Sequence, residues 1–400
     1  MLTKLFKKKQ KNSIVQRCRE DEITKQRLKY NPYYHHFDRQ AGTRIQLDGK
    51  ELILLSSNDY LGLNQHPKVI EAGQKALKEW GSSSTGSRIA NGSRSYHRRL
   101  ETKLANFLGK EDCQIHAAGY LSCMSAIQAF AQRGDIIFAD KNIHSALWTG
   151  IATTMARVEK FAHNKPTALA KVISYEEPDA HKMLVFEGVY SMEGHLAQAA
   201  ELLEIAGQNN CFSVMDDAHG FGVMGDQGRG TANHLGVTDQ VDIICGSLSK
   251  SMSSIGGFVA GDKALIEYLR THSKQTIFSA AISPAQVACA EAALAILQDE
   301  PEHLERLWSN TKRYNEILHS LGLDTWGSVT PAVPIVIGEK IKAYRFWQEL
   351  LKEGIFATVS LPPAVPPKKD LIRTAISARH SDEDLDKIAD AMQRVVKRVL

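Results

Sequence analysis

No apolar run in the sequence approaches the roughly eighteen residues that a membrane-spanning helix needs. The most apolar central stretch, Ala288 to Leu297, is short and carries Glu291, which fits a buried helix instead. The six cysteines (Cys18, Cys113, Cys123, Cys211, Cys245 and Cys289) include no C-x-x-C pair, so neither a structural zinc site nor a disulfide framework is expected. Reduced thiols fit a cytoplasmic protein. There is no G-x-x-x-x-G-K-[ST] and no H-E-x-x-H, which removes a P-loop and the helical zinc-protease motif. A formal net charge of +4 is too small to imply a nucleic-acid partner. Charge is concentrated only at the start, in Lys4, Lys7, Lys8, Lys9 and Lys11. No apolar segment follows these lysines, so they are not a secretory signal. They form either a solvated tail or a patch for an acidic carrier protein or the inner membrane surface.

What is present is ordinary in bulk and specific in pattern. Hydrophobic residues make up 43% and charged residues 24%, as in a globular protein. Four hundred residues exceed one ordinary core, so a large and a smaller domain are expected. Short apolar runs recur at Cys113–Ala117, Asp135–Ala139, Met183–Glu187, Cys211–Asp216, Val241–Cys245 and Gly257–Ala260. Such runs suit strands buried on both faces, and amphipathic stretches such as Glu201–Gln208 and Lys263–Thr271 lie between them. The pattern predicts an α/β fold with a mostly parallel sheet. After Asp299-Glu300-Pro301 the rhythm changes to long helical runs with strands near Val333–Ile337, Ile355–Ser360 and Leu371–Ser377, a smaller α+β unit. The expected division is an N-terminal segment 1–55, a large domain 56–300 and a small domain 301–400.

Two of these runs end in chemistry. Val214-Met215-Asp216 ends in an acid, and the strand-like run further on leads through Ser247-Leu248-Ser249 to Lys250 and Ser251. An acid that keeps a pyridine nitrogen protonated and a hydroxyl-flanked lysine that forms a Schiff base together hold pyridoxal 5'-phosphate. Around them the turn Ala118-Gly119-Tyr120 offers backbone N–H groups to a phosphate. His144, after another strand, could stack on the ring; His219 could reach its phenolic oxygen, and Ser191 could support the same edge. Gly220-x-Gly222-x-x-Gly225 also matches a dinucleotide fingerprint, but a glycine-rich loop follows where a helix should begin, so nicotinamide and flavin binding are not expected.

Taken together, Ser56-Ser-Asn-Asp-Tyr-Leu-Gly-Leu63, Phe161-Ala-His-Asn164, Glu187-Gly-Val-Tyr-Ser-Met192, Asp216-Asp-Ala-His219, Gly228-Arg-Gly230, Ser249-Lys250 and Ile372-Arg373 resemble the α-oxoamine synthases, fold-type I pyridoxal-phosphate enzymes. The resemblance runs from about residue 30 to the end. It implies decarboxylative condensation of an amino acid with an acyl-CoA or acyl carrier protein thioester. By that resemblance Lys250 is the Schiff-base lysine, Asp216 the pyridinium partner, His144 the stacking residue and His219 the phenolate partner. Gly119, Tyr120, Ser191 and Ser247 would hold ring edge and phosphate, and Asn58 and Arg373 the amino acid. Ser279 lies where a neighbouring subunit reaches the phosphate, so a homodimer is implied. No metal is expected.

Within the family, Leu304–Asn310, Phe346–Leu351 and Ser249–Ser251 resemble the branch that joins L-serine to a long acyl chain, giving 3-ketosphinganine-type products. Asp217 and Gly220–Val223 look more like the biotin-pathway branch, which joins L-alanine to a pimeloyl thioester. Glycine-using and autoinducer-producing relatives are further alternatives. Pro32-Tyr33-Tyr34 stands where the biotin branch carries arginines, which removes the anchor for a dicarboxylic chain and suits an apolar one. Leu361 stands where both branches carry an arginine before the Pro-Pro pair, leaving Arg373 as the main carboxylate contact. The expected reaction is therefore serine with a long acyl chain.

Overall fold

The computed structural model describes residues 14–27, 31–362 and 364–400. The five N-terminal lysines and Pro363 lie outside the described residues. Short strands β1 (Arg39–Ala41), β2 (Arg44–Leu47) and β3 (Lys50–Leu54) form an antiparallel meander that sequence reading did not anticipate. The chain then builds a seven-stranded sheet from β4 (Asp112–His116), β5 (Ile136–Asp140), β6 (Arg157–Phe161), β7 (Lys182–Glu187), β8 (Cys211–Asp216), β9 (Ile243–Ser247) and β10 (Gly257–Gly261). Their spatial order is β4-β10-β9-β8-β7-β5-β6.

Most of these strands are fully buried, which explains why they read as unbroken apolar runs. The edge strand β6 went unseen because Arg157-Val-Glu-Lys-Phe161 is polar, and only Phe161 is buried. β10 is antiparallel to both β4 and β9, whereas the remaining neighbours pair in parallel. The exception follows from connection length: β9 returns through a short turn, while parallel neighbours need a crossover.

The last quarter adds β11 (Ala332–Val336), β12 (Ile355–Phe356), β13 (Thr358–Ser360) and β14 (Leu371–Ala375). The single strand expected over Ile355–Ser360 is divided. β12 pairs with β3, and β13 pairs with β14 in a separate three-stranded sheet with β11. Ala357 sits at the switch, and its carbonyl accepts the Trp347 indole N–H at 2.7 Å. Helix Asp382–Val399 closes the chain, capped by Ser381 and Asp384 and packed through Leu385, Ile388, Met392 and Val395. Burying each of those side chains contributes about 1.5–3 kcal/mol. Among the described residues, no helix is long and apolar enough to cross a membrane.

The glycine pattern around residue 220 has a packing cause. A Cβ at Gly188, Gly220 or Gly230 would fall 2.4, 2.1 or 2.2 Å from an Asp217 carboxylate oxygen. Asp217 is buried there and accepts the Thr231 N–H at 2.7 Å and its hydroxyl at 2.5 Å. The glycines make room for a buried acid that pins the loop. A 3-10 turn at Asp226–Gly228 follows, not the helix of a dinucleotide site.

Candidate active site

The carboxyl ends of β4, β5, β7, β8 and β9 converge on an inner cavity of about 260 Å³. Gly119, Tyr120, His144 and Ser191 line it from the turns after three strands. Asp216, His219, Ser247 and Lys250 close it from β8, β9 and the turns that follow. An outer cavity of about 1070 Å³ shares His144, Ser191, His219 and Lys250 with the inner one and adds Asn58 and Arg373. The structure thus gathers ten residues singled out from sequence. Ser279 is the exception: it lies by a separate cavity of about 10 Å³ with Arg88 and His116.

The inner wall is held residue by residue. Asp216 Oδ1 accepts the Ala218 N–H at 2.9 Å, and its Oδ2 accepts the Cys123 thiol at 3.1 Å. Burial pulls the Lys250 amine below its ordinary value, with nearby Asp216 acting in the opposite direction. His144 is the N-cap of helix Ser145–Ala152, and its Nδ1 accepts the Ala146 N–H at 3.2 Å. Burial lowers its pKa, so the neutral ring carries its proton on Nε2. His219 Nδ1 lies 2.8 Å from the Tyr60 hydroxyl, and burial followed by the Lys250 charge drives its pKa well below the usual range.

These residues fit pyridoxal phosphate on chemical grounds. Helix Gly119–Gln128 begins without a side-chain cap, so its leading N–H groups, at Gly119 and Tyr120, can take an anion. A Cβ at Gly119 would fall 2.6 Å from Ser247 Oγ, so only glycine lets the helix start approach that strand. Ser247 Oγ and Ser249 Oγ are 2.7 Å apart beside the same turn. The set therefore supplies N–H and hydroxyl donors for a phosphate, a buried acid for a ring nitrogen and a desolvated amine for an aldehyde.

In the outer cavity Arg373 is oriented before any substrate arrives. Its Nε donates to the Ser191 carbonyl and its Nη2 to Asn58 Oδ1, each at 3.1 Å. Ile143, Trp148, Met192, Val365 and the prolines at 362, 366 and 367 give much of the remaining wall its apolar character. Tyr33 and Tyr34 line neither cavity, and Tyr34 is 93% exposed. Their aromatic rings therefore supply no acyl-binding wall within one chain.

Several residues that matter here were missed. Asp140 ends β5 and accepts the Tyr190 hydroxyl at 2.8 Å, the Asn142 N–H at 2.8 Å and the Asn164 N–H at 2.6 Å. It thereby fixes the turn that delivers His144. Tyr60, Cys123 and Glu187 also stand at the site, as partners of His219 and Asp216 or as cavity lining. An acid at the end of an apolar run was the available signal for Asp140 and Glu187.

Residues 50–392 match the aminotransferase class I and II family model. The serine palmitoyltransferase (SPT) of Sphingobacterium spiritivorum is 37% identical over 366 residues, covering 92% of each chain. The 8-amino-7-oxononanoate synthase of Thermoanaerobacter pseudethanolicus is 38% identical over 361 residues, covering 90% of this chain and 91% of that one. A solved structure of SPT with the PLP internal aldimine superposes with a TM-score of 0.94 at 29% identity, covering 97% of this chain and 99% of the other. The chain belongs to the class I and II aminotransferase family and, within it, to the pyridoxal-phosphate-dependent acyltransferases of the α-oxoamine synthase type. Its cofactor is pyridoxal 5'-phosphate, on the fold-type I scaffold.

Proposed function

We propose that the chain condenses L-serine with a long-chain acyl thioester, releasing carbon dioxide, the free thiol and a 3-ketosphinganine-type aminoketone. The carrying observation is the outer cavity: one pre-oriented arginine, Arg373, in a large space with much apolar wall. A carboxylate fits the guanidinium fork, and an acyl chain fits the apolar wall. The similarity to the Sphingobacterium spiritivorum SPT supports the same reading.

When bound, pyridoxal phosphate supplies the electron sink that stabilises negative charge at the substrate's α-carbon. Asp216 holds the proton on the ring nitrogen that makes the sink effective. Lys250 would hold the cofactor, and its desolvated amine is placed to take the substrate's α-proton. Arg373 holds the substrate carboxylate and sets which α-bond faces Lys250. His144, on the turn that Asp140 braces, would stand against the cofactor's ring.

We further infer that two copies pair, because Phe278, beside Ser279, is 83% exposed and Ile89 is 52% exposed nearby. Pairing would bring Ser279 to the partner's phosphate cradle. A second reading, L-alanine with a pimeloyl thioester, is favoured by the Thermoanaerobacter relative and by exposed Lys141 at the outer cavity, which could take a terminal carboxylate. Steady-state kinetics with palmitoyl and pimeloyl thioesters, each against L-serine, L-alanine and glycine, separate these readings. The expected result is the highest kcat/KM for L-serine with the palmitoyl donor. A preference for the pimeloyl donor overturns the proposal.

A further inference from the structure

Glu187 is the one buried acid on the cofactor cavity that the chemistry above leaves unused. It ends β7, and its register partner across the parallel ladder is Asp216, which ends β8. Paired residues on neighbouring strands project to the same face, so the two carboxyls stand side by side. Glu187 is 3% exposed and lines the inner cavity. Its Oε2 accepts the Ser191 N–H at a long 3.3 Å, the His144 backbone N–H faces the same carboxyl, and its buried Oε1 has no partner.

We propose that Glu187 works as a neutral acid: it carries the proton that lets its neighbour Asp216 remain charged, and it ties the His144 and Ser191 turns to the cofactor cavity. Two adjacent buried carboxyls ionise one at a time. Asp216 has the better anion site, with an N–H, a thiol and nearby Lys250. Glu187 has two backbone N–H groups, that of Ser191 at a long 3.3 Å and that of His144, and an oxygen without a partner, so the proton resides there. Burial and then the charges of Asp216 and Glu193 push its pKa well above the usual carboxyl range, with the His144 backbone N–H and then Lys250 opposing. Of its other titratable neighbours, His144 is held towards neutrality by burial, and burial also raises the pKa of Tyr190 and, with the Cys123 thiol opposing, that of Cys245. A proton on Oε1 turns the unpartnered oxygen into a donor aimed at the cavity. Glu187 is thus a positioning residue, acting through Asp216 and two turns.

The inference rests on the assignment of Lys250 and Asp216 to the cofactor, and its test reads Glu187 separately. Infrared spectra of the holoenzyme at neutral pH should contain a protonated-carboxyl stretch that Glu187→Gln removes. In a pH titration Asp216→Asn should move the loss of that band to lower pH, because the neighbouring charge is one of the causes that raise the Glu187 pKa. Glu187→Gln, which has the shape of the neutral acid, should hold the cofactor within about threefold of the wild-type dissociation constant. Glu187→Leu should weaken it on the order of tenfold, the scale of a lost buried hydrogen bond. If Glu187→Leu does not fold, the infrared comparison and the Gln variant still decide. A carboxyl band unaffected by Glu187→Gln, or cofactor affinity in Glu187→Gln reduced tenfold or more, overturns the neutral acid. Wild-type affinity in Glu187→Leu overturns the positioning role. A failed cofactor assignment would appear instead as a visible absorbance band that survives Lys250→Ala.

Discussion

The inner and outer cavities share Lys250, His144, Ser191 and His219, yet they are built by different means. Strand ends and the turns pinned to them make the inner wall, where Asp216, His144 and His219 are held by directional bonds. Asp216 is fixed by Ala218 and Cys123, and His219 by Tyr60. The outer cavity is about four times larger, from about 1070 against about 260 Å³. Pro362, Ala364, Val365, Pro366 and Pro367 line it with apolar atoms in place of directional bonds. Directional bonds fix where atoms sit, which the cofactor chemistry requires. An apolar wall fixes only what is excluded, so changes there should leave the inner site undisturbed.

Mutations on the two walls should therefore separate. The largest effect is expected at the inner wall: Lys250→Ala should lower turnover by roughly 10⁴-fold or more, the upper range for a lost acid–base group. The protein should also lose the cofactor's visible band in an absorbance scan. Turnover near the wild-type rate would break the comparison at its centre. At the boundary, Arg373→Ala should weaken L-serine binding by roughly 30- to 150-fold, since a charge-assisted fork contributes about 2–3 kcal/mol. Cofactor absorbance should be unchanged, and an equal serine dissociation constant would place the carboxylate elsewhere. The smallest effect belongs to the outer wall: Trp148→Ala should raise the palmitoyl donor's KM roughly fivefold, for about 1 kcal/mol of lost apolar contact. Serine affinity measured in the same titrations should not move. A matching loss of serine affinity would show that the two walls are not independent.

The inner site was legible in the sequence because its residues punctuate buried strands. An apolar run ending in Asp216 and another leading to Lys250 carry both spacing and chemistry on a one-dimensional string. The same rule, an acid closing an apolar run, applies to Asp140 and Glu187, whose value lies in what they brace and not in what they touch. Tyr60 could not be found this way, since its partner His219 is distant in sequence and the bond exists only after folding. The outer cavity was less legible. Tyr33 and Tyr34 had the right chemistry for an apolar chain, but Tyr34 points to solvent. The edge strand β6 was hidden for a related reason: one exposed face needs no hydrophobic signature.

The turn between β9 and β10 has a kinetic consequence. The Leu248 N–H donates to the Gly256 carbonyl at 2.9 Å, closing a small loop around Lys250 at the point where the sheet's only antiparallel strand departs. A group on such a loop explores a volume a few ångströms across, so after release it remains at an effective concentration far above any solute in the cell. In the proposed reaction the Lys250 amine would both hold the cofactor and move the substrate proton. The hairpin would keep that amine beside the inner cavity for both roles.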